Sequence, residues 1–291
     1  MMLTMSRLNR ALVGVVVFVL GVLEIACLGT SAVGTIERQV DRVFDVTAGS
    51  IVHVRTTGGA ITSSAGEAGR VRVTLRQRIS ADSDAEADRA LAEYEIALTQ
   101  EGDEVRVVAR PKDRGWSSRL SNRVRVSVAL AVPPDVRLDL ETSGGGIAVR
   151  GDRQAALRAA TSGGGIDVDG GAGDLSLDTS GGGITVGRAL GALSADTSGG
   201  GISVGYVGAL ARQVELDTSG GGIRVGVDPA ASLAVSAATS GGGVRIEGLP
   251  FAAQSQSRSS ARGTINAGDG RLRAETSGGS IIVQAAAAPA K

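Results

Sequence analysis

Seven times between Thr142 and Thr276 the chain returns to the same short string. "TSGGG" followed by Ile or Val begins at Thr142, Thr161, Thr179, Thr197, Thr218 and Thr239, and "TSGGSI" begins at Thr276. The steps are 19, 18, 18, 21, 21 and 37 residues, and the last reads as two steps with a worn copy, "SSARGTI", ending at Ile265. A unit of this length is too short to bury an apolar face alone, so a fixed period implies that neighbouring units stack and share one core.

Within a unit, apolar residues alternate with polar ones on both sides of the glycines. Leu175, Leu177 and Thr179 fall on one face, Ser176 and Asp178 on the other, and Ile184 and Val186 resume the inner face after the glycines. That is the period of a strand with one buried side. Each unit is therefore strand, glycine corner, strand and variable return. A propeller blade needs about 40 residues, twice this period, and a β-sandwich is the remaining alternative. The spacing predicts an all-β chain, a parallel β-solenoid (β-helix-like) of about nine coils of 18–21 residues. The corner glycines are expected at positive φ, where side chains are resisted, and every neighbouring coil makes the same corner. The inward threonines are expected to bond corner backbone groups, since a buried hydroxyl requires a partner.

The segment Val52 to Arg76 follows the same grammar, with "TTGGAI" at Thr56. An inserted helix-plus-hairpin cap follows. Ser83 and Glu86 form a capping-box pattern, and Ala87, Ala90, Leu91 and Tyr94 supply a helical apolar stripe. "YEIALTQ" and "EVRVVAR" read as a hairpin joined through "EGD", and "RVRVSVALAV" as a further strand. The expected organisation is a leader over 1–32, a first solenoid coil region over 33–77, an α+β cap over 78–135, solenoid repeats over 136–284 and a disordered tail over 285–291.

The leader reads as an export signal. Arg7 and Arg10 precede an apolar run from Ala11 to Leu23 and the small-residue segment "ACLGTSA". Three fates are open: cleavage after Ala32, lipidation at Cys27, or retention as a membrane anchor. The run is short for a span that needs about 20 apolar residues. The expected location is the cell envelope, periplasmic or extracellular.

Composition removes several kinds of chemistry. Thirty basic residues balance thirty acidic ones, so the chain lacks the basic footprint of a nucleic-acid binder. His53 is the only histidine and Cys27 the only cysteine, which removes Ser-His-Asp, Cys-His and multi-histidine metal sites; a structural role is expected for His53, in an alternating strand. The glycines lack the lysine of a phosphate-binding loop. "GGGIDVDGGAGD", from Gly163 to Asp174, has glycines and aspartates in the style of calcium-binding repeats but without their nine-residue period. No cofactor is expected.

The tandem "TSGGGI" units, the "TTGGAI" copy after an extended strand and the entry "VPPDVRLDLETSGGG" resemble the bacterial "putative adhesin" family of β-strand repeat proteins, over roughly residues 40 to 284. The resemblance implies a solenoid-like fold and a surface or adhesive role. It brings no catalytic residues.

The column just before the threonine reads Glu141, Ala160, Asp178, Asp196, Asp217, Ala238, Glu275 and points outward. Asp178, Asp196 and Asp217 are thus candidates for a divalent-cation or sugar-binding stripe, against a solvated charged face that keeps edges from aggregating. Trp116, in "RGWSSRLSNR", is a candidate for contact with a membrane or glycan, against filling a local apolar gap. The function expected is that of a non-enzymatic, exported structural or interaction protein whose partner is an envelope protein or glycan. The alternatives are a polysaccharide-processing β-helix enzyme using the surface carboxylates, and an envelope-stress accessory protein.

Overall fold

The fold is seen in a computed structural model, which describes residues 34–112 and 123–287. In chain order its first part holds β1 (Thr35–Asp45), β2 (Ile51–Thr56), β3 (Ile61–Ala65), β4 (Arg70–Ser80), α1 (Asp84–Ala92), β5 (Tyr94–Glu101), β6 (Glu104–Pro111) and β7 (Val124–Val132). The repeats supply β8 (Arg137–Thr142), β9 (Ile147–Arg153), β10 (Leu157–Thr161), β11 (Ile166–Gly171), β12 (Leu175–Thr179), β13 (Ile184–Ala189), β14 (Leu193–Thr197), β15 (Ile202–Val207), β16 (Gln213–Thr218) and β17 (Ile223–Val227). The last part holds β18 (Leu233–Thr239), β19 (Val244–Glu247), β20 (Phe251–Gln256), β21 (Ser260–Ile265), β22 (Gly270–Thr276) and β23 (Ile281–Ala285).

The strand before each glycine corner joins one sheet and the strand after it joins the other. This gives a 12-stranded sheet in the order β20-β21-β18-β22-β16-β14-β12-β10-β8-β2-β6-β5, and an 11-stranded sheet in the order β1-β4-β7-β3-β9-β11-β13-β15-β17-β23-β19. Between neighbouring coils the pairing is parallel and in register. Leu157 lies beside Leu175 and Leu175 beside Leu193, while on the other sheet Ile166 lies beside Ile184 and Ile184 beside Ile202. These residues are all buried between the two sheets. Each large aliphatic side chain so buried stabilises the fold by about 1.5–3 kcal/mol relative to exposure. The chain is a parallel β-solenoid, as the period of its repeat requires.

The inserted cap sits at one end of the stack. Ser83 caps α1, its hydroxyl accepting from the Glu86 N–H at 3.3 Å, while the Glu86 carboxylate accepts from the Asp82 N–H at 3.1 Å. Ala87 and Ala90 face inward from the helix. β5 and β6 form an antiparallel hairpin whose turn residue Gly102 has φ +57°, and β6 runs parallel to β2. β7 runs parallel to β3, so β6 and β7 occupy the place of one more coil.

Three expectations are corrected. First, the grammar from Val52 does not continue to Arg76: β2 and β3 make a coil, but β4 turns back and runs antiparallel between β1 and β7. Second, "SSARGTI" is not a worn coil. Its residues form β21, which runs antiparallel between β18 and β20. It has one glycine where a coil corner has two or three, and a side chain at Gly263 would strike the Phe251 ring and the Ala252 carbonyl. The coil of β22 and β23, last in sequence, is not last in space; it lies between β16–β17 and β18–β19.

Third, no glycine of a "TSGGG" corner has positive φ; positive values occur at Gly49, Gly69, Gly102, Gly151, Gly170, Gly248 and Gly268. The corners need glycine for proximity. A Cβ on Gly200 would overlap the carbonyl of Gly182 in the neighbouring coil, and one on Gly182 would overlap that of Gly164. Packing of backbone on backbone at the rung spacing leaves the middle position no room for a side chain.

Candidate functional site

The threonine column is structural. Thr161, Thr179, Thr197 and Thr218 are buried, and each hydroxyl donates to the middle-glycine carbonyl of the preceding coil: Thr161 to Gly145 at 2.7 Å, Thr179 to Gly164 at 2.7 Å, Thr197 to Gly182 at 2.7 Å and Thr218 to Gly200 at 2.6 Å. Thr197 Oγ1 also accepts from the Gly200 N–H of its own corner at 3.3 Å. One hydroxyl therefore satisfies a donor and an acceptor that a tight corner would leave orphaned.

The outer face of the 12-stranded sheet carries the candidates for chemistry. Asp178, Asp196 and Asp217 lie in direct register on adjacent strands, at the spacing of about 4.8 Å between parallel neighbours. Because β22 is inserted beside β16, Glu275 follows Asp217 and Ala238 follows Glu275, so four carboxylates stand in a row. Partial burial holds the Asp196 carboxyl above its ordinary pKa, and the flanking Asp217 and Asp178 charges add to the effect. Arg273 bonds Glu275 through two hydrogen bonds, at 2.9 and 2.7 Å. The side chains of a ladder project in parallel; among the described residues no three of His, Cys, Asp or Glu converge as they would around a metal ion.

A second cluster escaped the sequence reading. His53 on β2 lies between Asp139 on β8 and Glu104 on β6, with Nδ1 at 2.9 Å from Asp139 Oδ2 and Nε2 at 3.1 Å from Glu104 Oε1. Arg55 reaches Asp139 Oδ2 at 2.9 Å and also bonds Glu141, and Arg106 pairs with Glu104 at 2.7 Å. Both ring nitrogens face carboxylates, and neither faces a hydroxyl or thiol. The available signal was alternation: Glu104, His53 and Asp139 each occupy an outward position. Their register across three strands was not visible, because it depends on β6 docking against β2.

On the outer face of the 11-stranded sheet, two shallow troughs of about 530 and 510 Å³ follow the corners. They are lined by glycines, isoleucines and small side chains, with Asp167 the charged residue in one and Arg224 in the other. Neither holds the paired acid and base that hydrolysis requires. Arg153 is buried beside β7 and donates to the carbonyls of Val132, at 3.4 Å, and Val136; burial pushes its pKa down to about 10. Cys27, the leader and Trp116 lie outside the described residues. Among the described residues, no helix is long and apolar enough to cross a membrane.

Glycine corners, in-register ladders and a hydroxyl column define a repeat protein of stacked parallel coils. Residues 136–284 match the family model described as Toastrack DUF4097, and the chain belongs to that family. No curated protein matches it. Among solved structures, it is similar to a "putative cell adhesion protein" from Clostridium sporogenes at 10% identity and a TM-score of 0.31, over 85% of this chain and 99% of that one. It is also similar to a "putative adhesin" from Bacteroides fragilis at 10% identity and a TM-score of 0.35, over 85% of this chain and 96% of that one.

Proposed function

We propose that the chain is a non-enzymatic, exported interaction and structural module of the cell envelope, which presents its sheet faces to an envelope protein or a glycan. The observation that carries this reading is the engagement of its reactive groups. The sole histidine faces a carboxylate at each nitrogen, and the buried threonines are committed to corner carbonyls. The residues that vary from coil to coil point outward from a regular stack, which is the property of a display surface. An exported location is supported by the basic residues, apolar run and small residues of the first 32 positions. The test is capture from envelope extracts with the full chain as bait, with an Asp178→Ala, Asp196→Ala, Asp217→Ala variant beside it. Recovery of one envelope protein or glycan by the wild type supports the reading. Release of reducing sugar from envelope polysaccharide by the wild type, lost in that variant, would replace it with the enzyme alternative.

A further inference from the structure

The two ends of the 11-stranded sheet differ in kind. At one end β19 has four residues, and its Val244 N–H is taken by the Arg258 carbonyl at 2.9 Å. At the other end β1 has eleven, and among the described residues β4 is its one strand neighbour, with the Asp45 carbonyl at its end accepting from Gln100 Nε2 at 2.7 Å. None of its residues is buried. Three large apolar side chains are exposed among the described residues, and two of them, Val40 at 37% and Val43 at 49%, lie on this strand. β1 contains no proline or lysine and pairs with β4 without a bulge; of the devices that keep a sheet edge from pairing it has charges, with Arg38 and Arg42 on the inner face beside Val40.

We propose that the edge of β1 away from β4 pairs antiparallel with β1 of a second copy across a two-fold axis, with Val40 opposite Val40. Side chains of opposed residues must share a face, and a two-fold perpendicular to the sheet keeps both inner faces on the same side. In this register Ile36 meets Phe44 twice and Val40 meets itself. All three continue the apolar side of the sheet, because they lie in register with Ile79, Val71 and Leu75 on β4. On the outer side Gln39 meets Asp41 and Glu37 meets Val43. Sliding the pair one step either way sets Val40 against Arg38 or Arg42 on the inner side, and sets Glu37, which Arg78 holds at 2.8 Å, against Asp41 or Asp45. Arg38 meets Arg42 of the second copy, a contact eased by Asp88 and Asp84 of the same chain, which bind Arg38 at 2.5 and 3.4 Å. A two-fold interface closes on itself, so it consumes the edge without building a filament.

The test is the mass of the full chain in solution, by light scattering, for the wild type, Val40→Lys and Val43→Lys. The register makes the two lysines unequal. Val40→Lys opposes two ammonium groups and yields a monomer; Val43→Lys faces Glu37 of the second copy and remains a dimer. In a Cys27→Ser background, Val40→Cys crosslinks to its own copy on oxidation and Val43→Cys does not. Association lost equally in both lysine variants overturns the register. A wild type that is monomeric at micromolar concentration overturns the proposal and leaves the edge to a strand from another protein.

Discussion

The hydroxyl of Thr197 donates to the Gly182 carbonyl of one coil at 2.7 Å and accepts from the Gly200 N–H of its own at 3.3 Å. Replacing it with valine keeps the volume and orphans both backbone groups. Thr197→Val is expected to cost about 1–3 kcal/mol, the usual penalty for a buried unsatisfied polar group. Thr197→Ser keeps the hydroxyl and is expected to lose less. Urea unfolding midpoints of the two variants make the comparison.

The corner glycines are expected to be unequal. A Cβ at Gly200 would overlap the backbone of the preceding coil, whereas one at Gly144 lies 3.4 Å from the Thr57 carbonyl, an ordinary contact. Gly200→Ala should destabilise by about 2–3 kcal/mol or more, the cost of forcing volume into close packing, and Gly144→Ala by well under that. Thermal unfolding of both distinguishes proximity from backbone conformation as the reason for glycine, since neither residue has positive φ.

The carboxylate row predicts a pH-dependent gain. The Asp196 pKa is raised in the folded chain, so its ionised form costs stability at neutral pH, and that cost disappears as pH falls through the raised value. Asp196→Asn should therefore stabilise the protein at pH 7 by up to about 1 kcal/mol after solvent screening. The gain should fade below about pH 4, where the aspartate is protonated in both states. Unfolding curves at the two pH values test the sign.

His53 ties β6 to β2 and β8 through Glu104 and Asp139. His53→Ala is expected to cost about 1 kcal/mol, because the pairs are partly exposed. Its local effect should be faster amide exchange in the hairpin of β5 and β6, with the central repeats unchanged.

Ending the chain after Asp269 removes a coil from inside the stack, since β22 bridges β16 and β18. Loss of a terminal coil would leave the rest paired. Here β18, β19 and the β20–β21 hairpin lose their only strand link to the solenoid among the described residues. Limited proteolysis should cut first between residues 228 and 269 in the truncated chain and spare that region in the full one.

The repeat and its alternation sufficed to derive the strands, the corners, the inward threonines and the parallel stack, because period and alternation are local properties of the chain. Thr179 and Ile184 face the core as their positions in the unit require. The helix start at Ser83 was legible for the same reason, since a capping box spans four residues. His53 was read as structural, but its partners Glu104 and Asp139 were not legible, being set by which strands dock side by side.

The order of the coils was decided only in three dimensions. Every "TSGGG" corner offers the same carbonyl, hydroxyl and aliphatic ladder, so any coil fits beside any other, and sequence alone determines the coil and not its neighbour. Thr218 lies in register with Thr276 rather than Thr239 because β21 occupies the far edge of β18, leaving β22 the edge that faces β16. The same placement sets Glu275 beside Asp217 and lengthens the carboxylate row. Glycine itself was written in the sequence; the reason for it, the backbone of a neighbouring coil within contact distance, exists only once the coils have stacked.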